Sequence, residues 1–419
     1  MNVIAIVGNG IAGTEAADAA RRTDPHARVI MVTKEPYPLY SACILADYIA
    51  DRIPRQRVFL RTAEDYARAG IELMLARPVL DWSPERHMLY FDDGALRYDR
   101  LVIATGSRPL IPPVPGIEKD GFVALKTLRD ADLLRMAHGK NAVVVGTGPV
   151  GIEAAIALRH RGWSVSVVEM LDRVLPRLFD LPLANTLKNR LEKRGINIFL
   201  DEKVLEILGG TRVEGVQTDR RALPADVVVW VIGMRPELTL LNEGQLLLGA
   251  SGGIAVDRHM QTTQEGVWAC GDCVESEDLV SGCTGLFMLW HNARLQGRIA
   301  GANAAGAGKR YPGSVNITTI NVFDEAAASV GTLASEVSPG ERKVLHRRSP
   351  WGELYLVLKD TCLMGVQAVG RTERVGGLIG IMLQGKDLRK TLVRASSPAD
   401  GPGLGILRNV RKDLLHLFG

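Results

Sequence analysis

The sequence predicts an α/β chain: two Rossmann-like three-layer dinucleotide-binding domains followed by a C-terminal α+β interface domain. Three observations carry this expectation. A buried-strand run, Val3-Ile4-Ala5-Ile6-Val7, leads into Gly8-Asn9-Gly10-Ile11-Ala12-Gly13 and an alanine-rich helix. The same grammar returns at Ala142-Val143-Val144-Val145-Gly146-Thr147-Gly148-Pro149-Val150-Gly151. From about Tyr311 the texture changes to alternating segments at 316–322 and 353–358, which read as an antiparallel sheet.

Each glycine run has the spacing GxGxxG between a strand and a helix. The first glycine permits a tight turn, the second lets backbone approach a pyrophosphate, and the third lets helix and strand pack closely. The diphosphate also meets the positive end of the helix dipole. One such run is weak evidence; two in the correct context point to two dinucleotides held together, a flavin and a nicotinamide nucleotide.

With 419 residues the chain can bury a full core and divides into two or three domains. Glycines, prolines and charges interrupt every stretch of about 18 apolar residues, so no membrane span is expected. The chain starts directly on a strand with no basic leader ahead of it, and a cytoplasmic protein is expected. A net charge of +4 without a basic block gives no sign of nucleic acid. Lys386, Arg389, Lys390, Arg394, Arg408, Arg411 and Lys412 make the tail locally basic. They read as a solvated face, with a docking surface for an acidic partner as the alternative.

In chain order, Val29-Ile30-Met31-Val32 reads as the second strand of the first unit. An acidic residue should follow it for the ribose hydroxyls; Glu35 lies 22 residues past Gly13, although Lys34 intervenes. Backbone groups are the alternative holders of those hydroxyls. The run 98–109 ends its apolar strand in Ala104-Thr105-Gly106, then Ser107-Arg108-Pro109, a turn that must come close to a ligand. The proline-rich segment 111–116 reads as a linker. After the second fingerprint, Ser164-Val165-Ser166-Val167-Val168 ends at Glu169, 18 residues past Gly151. A carboxylate there accepts from the adenosine ribose and repels a 2′-phosphate, which favours NADH over NADPH despite Arg173 and Arg177. The strand-to-glycine pattern repeats at 226–236, ending at Gly233, and Val267-Trp268-Ala269-Cys270-Gly271-Asp272 supplies another short buried strand.

In this order the motifs resemble the FAD- and NAD(P)-dependent pyridine nucleotide-disulfide oxidoreductases. That group includes NADH oxidases, coenzyme A-disulfide reductases, rubredoxin and ferredoxin reductases, and the flavin part of nitrite reductase. The resemblance covers nearly the whole chain. It implies FAD and NAD(H) as cofactors, with Asp272 on the ribityl chain of FAD and the Gly271 backbone at its pyrophosphate. It implies an FAD domain in two segments (1–111 and 241–310), an NAD domain between them (112–240), and an interface domain at 311–419 that commonly mediates dimers. Residues expected at the FAD are Gly8, Gly10, Ile11, Ala12, Gly13, Glu35, Ala104, Thr105, Gly106, Arg108, Gly271 and Asp272. Those expected at NADH are Gly146, Gly148, Val150, Gly151, Glu169 and Gly233. Glu153 resembles the family glutamate at the nicotinamide end of its helix; the plainer reading is a solvated helix residue.

The five cysteines, Cys43, Cys270, Cys273, Cys283 and Cys362, are too few and scattered for a disulfide framework. Cys43 resembles the redox cysteine of single-cysteine members, with Tyr48 at the place of their tyrosine. Tyr48 also occupies the second position of a CxxxxC pair, which excludes an internal disulfide. Ala46 and Asp47 depart from the family pattern. The helix start after Ser41 would lower the thiol pKa and Asp47 would oppose it. The competing role for Cys43 is a small buried hydrophobe beside the flavin. Cys270, Cys273 and Cys283 lack the ligand set of a cluster, and no metal is expected. Trp290 and His291 read as packing residues more readily than catalytic ones.

The leading expectation is an FAD-dependent NADH:acceptor oxidoreductase exchanging electrons with a partner. A specific version is the NADH-linked flavin subunit of an iron–sulfur oxidoreductase complex. The alternatives are a single-cysteine NADH oxidase or coenzyme A-disulfide/persulfide reductase using Cys43, and, from another class, an NADH-sensing flavin module.

Overall fold

The computed structural model describes residues 2–388, apart from 243, 351 and 374. Of the basic tail, only Lys386 lies among the described residues. The expected α/β architecture is present. The first sheet is five-stranded and parallel, in the order Val267–Ala269, Arg100–Ile103, Val3–Val7, Arg28–Val32, Ile71–Met74. The second is also five-stranded and parallel, in the order Phe122–Val123, Val227–Trp230, Asn141–Val145, Ser164–Val168, Ile196–Phe199.

The two sheets repeat one plan. The strand feeding each glycine turn is central, with its successor on one side. The strand ending in the later glycine motif lies on the other. Buried parallel strands carry near-continuous apolar runs because both faces are covered; four residues of Val3–Val7 and four of Asn141–Val145 are buried. Ser107–Pro109 and Met234–Pro236 pair antiparallel at the crossing between the units, with Arg108 opposite Arg235.

The third sheet is antiparallel, in the order Ile317–Val322, Glu325–Gly331, Cys362–Gly370, Gly352–Lys359, Arg342–Ser349. Its period-two segments pack one face against the second unit and the other against the helix Val375–Leu383. A buried polar contact ties this sheet to the second unit. The Asp180 N–H donates to Gln367 Oε1 (2.7 Å), and Asp180 Oδ2 accepts from Gln367 Nε2 (2.6 Å) and the Ala334 N–H (3.0 Å).

The first fingerprint helix, Ile11–Thr23, lies against Trp290–Ala304 at backbone distance. A Cβ on Gly297 or Gly301 would overlap the carbonyl of Ala12 or Ala16. Glu15 is sealed into the same seam by Arg294 (2.5 Å) and Arg298 (2.7 Å).

Candidate functional site

Each glycine turn is shaped by what a side chain would strike. Gly8 has φ +115°, and a Cβ there or on Gly13 would overlap the carbonyl of Ala104 or of Gly8. Gly10 differs: it is the helix N-cap, in ordinary extended backbone, with nothing within 4 Å of where its Cβ would stand. The turn therefore leaves a cleared space at the start of a helix, beside Ile11 and Ala12, whose first N–H groups lack intrahelical acceptors. That donor set suits a diphosphate.

Side chains absent from the expected set hold this turn. Asn9 Oδ1 accepts from the buried Tyr66 hydroxyl (2.6 Å), Tyr66 meets the Thr14 hydroxyl (2.9 Å), and Asn9 Nδ2 donates to the Tyr37 carbonyl (3.1 Å). The Gly271 N–H donates to Gln296 Oε1 (2.9 Å), and Gly271, at φ +84°, stands where a Cβ would touch Ala12. The Gly271-Asp272 turn and the first fingerprint thus meet, and Ala104 is buried between strand and turn. Thr105 Oγ1 donates to the Glu237 carbonyl (2.7 Å), and Gly106 has φ +76° with clear space around it. Glu35 accepts from the Tyr40 hydroxyl (2.8 Å), whereas Lys34 turns to Glu237 (3.0 Å). Arg108 is exposed on the crossing strand. The cleared turn, the converging glycines and the carboxylates fit an FAD.

The second turn is built alike. Gly146 has φ +104°, a Cβ on Gly151 would overlap the Gly146 carbonyl, and Gly148 caps the helix Pro149–His160 with open space beside it. Glu169 is bound back onto the turn: Oε2 accepts from Thr147 N (2.9 Å) and Thr147 Oγ1 (2.6 Å), and Oε1 from Leu171 N (3.0 Å). Val150, Met170, Leu171 and Ile232 are apolar yet exposed, and Gly233 has φ +138° with clear space around it.

Between the two turns, side chains from distant segments converge. Asp272 Oδ2 accepts from Ser107 Oγ (2.7 Å), which accepts from Lys126 Nζ (2.9 Å), with the ammonium 3.7 Å from the carboxylate. Lys126 precedes Thr127, the N-cap of Leu128–Met136. Cys43 lies on the short 3₁₀ turn Ala42–Ile44 and is exposed. Crowding on its protein side pushes the thiol up, and Glu153 and Asp272 add to this. The Ser41 hydroxyl and Lys126 pull it down. Glu153, from the second fingerprint helix, is pushed up to about 7 by burial and then by the Asp47 carboxylate. Asp47 itself pairs with Arg52 (3.3 Å). Glu153 is therefore no solvated helix residue. The charge opposing a Cys43 thiolate is chiefly Glu153, while Asp47 acts on Glu153.

Tyr48, at the place of the family tyrosine, ties two segments together. It is buried, its hydroxyl donates to Asp132 (2.6 Å), and Arg55 holds the same carboxylate (2.9 Å). It joins the Cys43 segment to the helix Leu128–Met136. Trp290 packs on the first core, and His291 Nε2 meets the Val315 carbonyl (3.0 Å). Cys270 and Cys273 are buried free thiols. Among the described residues no three His, Cys, Asp or Glu side chains gather as a metal site.

Residues 2–297 match the family model of the pyridine nucleotide-disulphide oxidoreductases. The chain is 31% identical over 401 residues to the NADH oxidase of Methanocaldococcus jannaschii, covering 90% of this chain and 89% of that one. It is 32% identical over 335 residues to the NADH-dependent phenylglyoxylate dehydrogenase subunit epsilon of Aromatoleum evansii, 78% of each chain. Among solved structures, the NAD-dependent persulfide reductase from A. fulgidus superposes with a TM-score of 0.89 at 27% identity, over 99% of this chain and 83% of that one.

Proposed function

This chain belongs to the pyridine nucleotide-disulphide oxidoreductase family, and from that premise we propose that it is an FAD-dependent NADH:acceptor oxidoreductase whose electrons pass to or from a separate redox partner. The observation that carries this reading is the meeting of Cys43, Glu153, Lys126 and Asp272 between two open glycine turns. In this reading FAD is held by Gly8, Gly10, Ile11, Ala12, Gly13, Glu35, Ala104, Thr105, Gly106, Arg108, Gly271 and Asp272. NADH is held by Gly146, Gly148, Val150, Gly151, Glu169 and Gly233. The FAD domain takes 1–111 and 241–310, the NAD domain 112–240, and 311–419 mediates assembly.

Bound FAD supplies the chemistry that accepts a hydride from NADH and gives up its electrons in pairs or singly. The protein positions and tunes. Ser107 and Lys126 fix the Asp272 carboxylate. Glu153, poised near neutrality, holds or gives up a proton within electrostatic reach of Cys43. A thiol raised above its ordinary range is a poor nucleophile. This supports an outside acceptor over a cysteine-based one. An iron–sulfur protein or subunit is the acceptor class, or donor class, in keeping with the phenylglyoxylate dehydrogenase relative. No described helix is long and apolar enough to cross a membrane, and a cytoplasmic location is part of the reading.

The exposure of Cys43, together with Ser41 and Lys126 beside it, favours a second reading: a single-cysteine oxidase or disulfide/persulfide reductase. An anaerobic NADH titration separates the two. Uptake of two electrons per FAD, unchanged in Cys43→Ser, is expected. Uptake beyond two in the wild type, with a thiolate-to-flavin absorption band lost in Cys43→Ser, would install the second reading. A protein that cannot be loaded with FAD would overturn both.

A further inference from the structure

We propose that Thr147, a residue inside the second glycine turn, is a specificity-determining positioning residue that presets Glu169 for a nicotinamide nucleotide without a 2′-phosphate. This rests on the reading that NADH binds at that turn.

A carboxylate has about four acceptor positions, two on each oxygen. Both positions on Glu169 Oε2 are taken from within the turn, by Thr147 N (2.9 Å) and Thr147 Oγ1 (2.6 Å). Oε1 accepts from Leu171 N (3.0 Å), which leaves one open position of the four. Thr147 is fully buried, so its hydroxyl has no competing water. Its carbonyl accepts from Leu175 N (3.1 Å), which secures the other side of the residue. Glu169 is therefore a fixed anion with a single free acceptor site, flanked by the exposed Met170 and Leu171. A ribose hydroxyl can donate to that site. A 2′-phosphate has no proton to offer and meets a charge that cannot swing away. Arg173, one of the two cations that follow in sequence, pairs with Asp172 (3.6 Å).

Without the hydroxyl, Oε2 would keep one donor in the turn, the Thr147 N–H, and the carboxylate could tilt about its two N–H tethers from Thr147 and Leu171. The hydroxyl, a second charge-assisted donor to the same oxygen, prevents this. The identity of residue 147 thus acts through Glu169 on nucleotide choice, although it need not touch the ribose.

The test compares NADH with NADPH on the FAD-loaded protein, by calorimetric binding and by kcat/KM. Thr147→Val, close in shape, should lower the NADH:NADPH affinity ratio about tenfold, the scale of one lost charge-assisted hydrogen bond. Thr147→Ser should keep the ratio. In Glu169→Ala the ratio should collapse, and adding Thr147→Val should change it no further. FAD content and Tm report whether each variant folds, and Thr147→Ala serves if the valine variant does not. An unchanged ratio in both Thr147→Val and Thr147→Ala, in a protein that prefers NADH, would overturn the role of Thr147 alone. So would full additivity with Glu169→Ala. A wild type without preference for NADH would overturn the role of Glu169 and, with it, this one.

Discussion

Glu153 shows how burial and one neighbouring carboxylate change what a residue does. Its carboxyl, ordinarily near 4.5, is pushed up to about 7 by burial and by Asp47. The folded protein thus binds this proton more tightly than the unfolded chain does. The stability it contributes is complete below pH 4.5 and is lost as pH rises through 7, on the order of 3 kcal/mol at about 1.4 kcal/mol per unit. Glu153→Gln, which keeps the neutral shape, should raise the urea midpoint relative to wild type at pH 8 and leave it nearly equal at pH 4. A shift of the same size at both values would reject this protonation behaviour. The sequence suggested Glu153 from its place in the motif. Its raised pKa was not legible, because it depends first on how the fold buries the side chain and then on the carboxylate, Asp47, that a different helix brings alongside. Lys126 and Ser107 were missed for a related reason. Ser107 is 165 residues from Asp272, and no periodic signal marks a polar contact between loops so distant. The partner of the Tyr48 hydroxyl, Asp132, was not legible either, because it lies 84 residues away on another helix.

At the scale of the element, the glycine turns separate two jobs that the motif writes with one letter. Gly8, Gly13, Gly146 and Gly151 face protein backbone, while Gly10 and Gly148 face open space. Gly148 sits at φ −63° and ψ 174°, which any residue adopts. Gly148→Ala should therefore leave stability within about 0.5 kcal/mol of wild type. Its added methyl would occupy the nucleotide's room, so NADH affinity should fall while FAD content stays constant. A fall in Tm without loss of NADH affinity would place the pressure on Gly148 in packing instead. Gly297 and Gly301 illustrate the complementary case. Nothing in the helix 290–304 marked them in the sequence, yet they let it approach Ile11–Thr23 at backbone distance. Only the partner helix makes them necessary.

Across the whole molecule, buried polar contacts help join the two parallel sheets and the antiparallel sheet, beside partly exposed ion pairs such as Arg190–Glu325 and Arg194–Asp324. The exchange between Asp180 and Gln367 is the clearest. Gln367→Ala removes two hydrogen bonds and leaves Asp180, itself buried, with only the Ala334 N–H on that oxygen. A cost of about 2–4 kcal/mol is expected, given about 1–3 kcal/mol for each buried group left unsatisfied. Because the contact lies between units, protease cleavage between the second unit and the antiparallel sheet should rise before global unfolding does. An unfolding midpoint and digestion pattern equal to wild type would show the contact to be dispensable. The same joining brings Glu153 from one unit and Asp272 and Cys43 from elsewhere in the chain to a common gap.

The sequence by itself determined the layered α/β class, the two glycine turns, the antiparallel character of the later segment and the carboxylate at 169. These are local: strand runs, turn glycines and a fixed step from turn to acid lie within some 30 residues and have their own periodicity. Tertiary structure alone decided the charge state at the centre, the partners of Asp272, the binding of Glu169 onto Thr147 and the role of Tyr48. Each depends on which side chains meet across the seams between units, and electrostatic and hydrogen-bond energies fall off within a few ångströms. Residues far apart in sequence acquire these properties only when the fold brings them together.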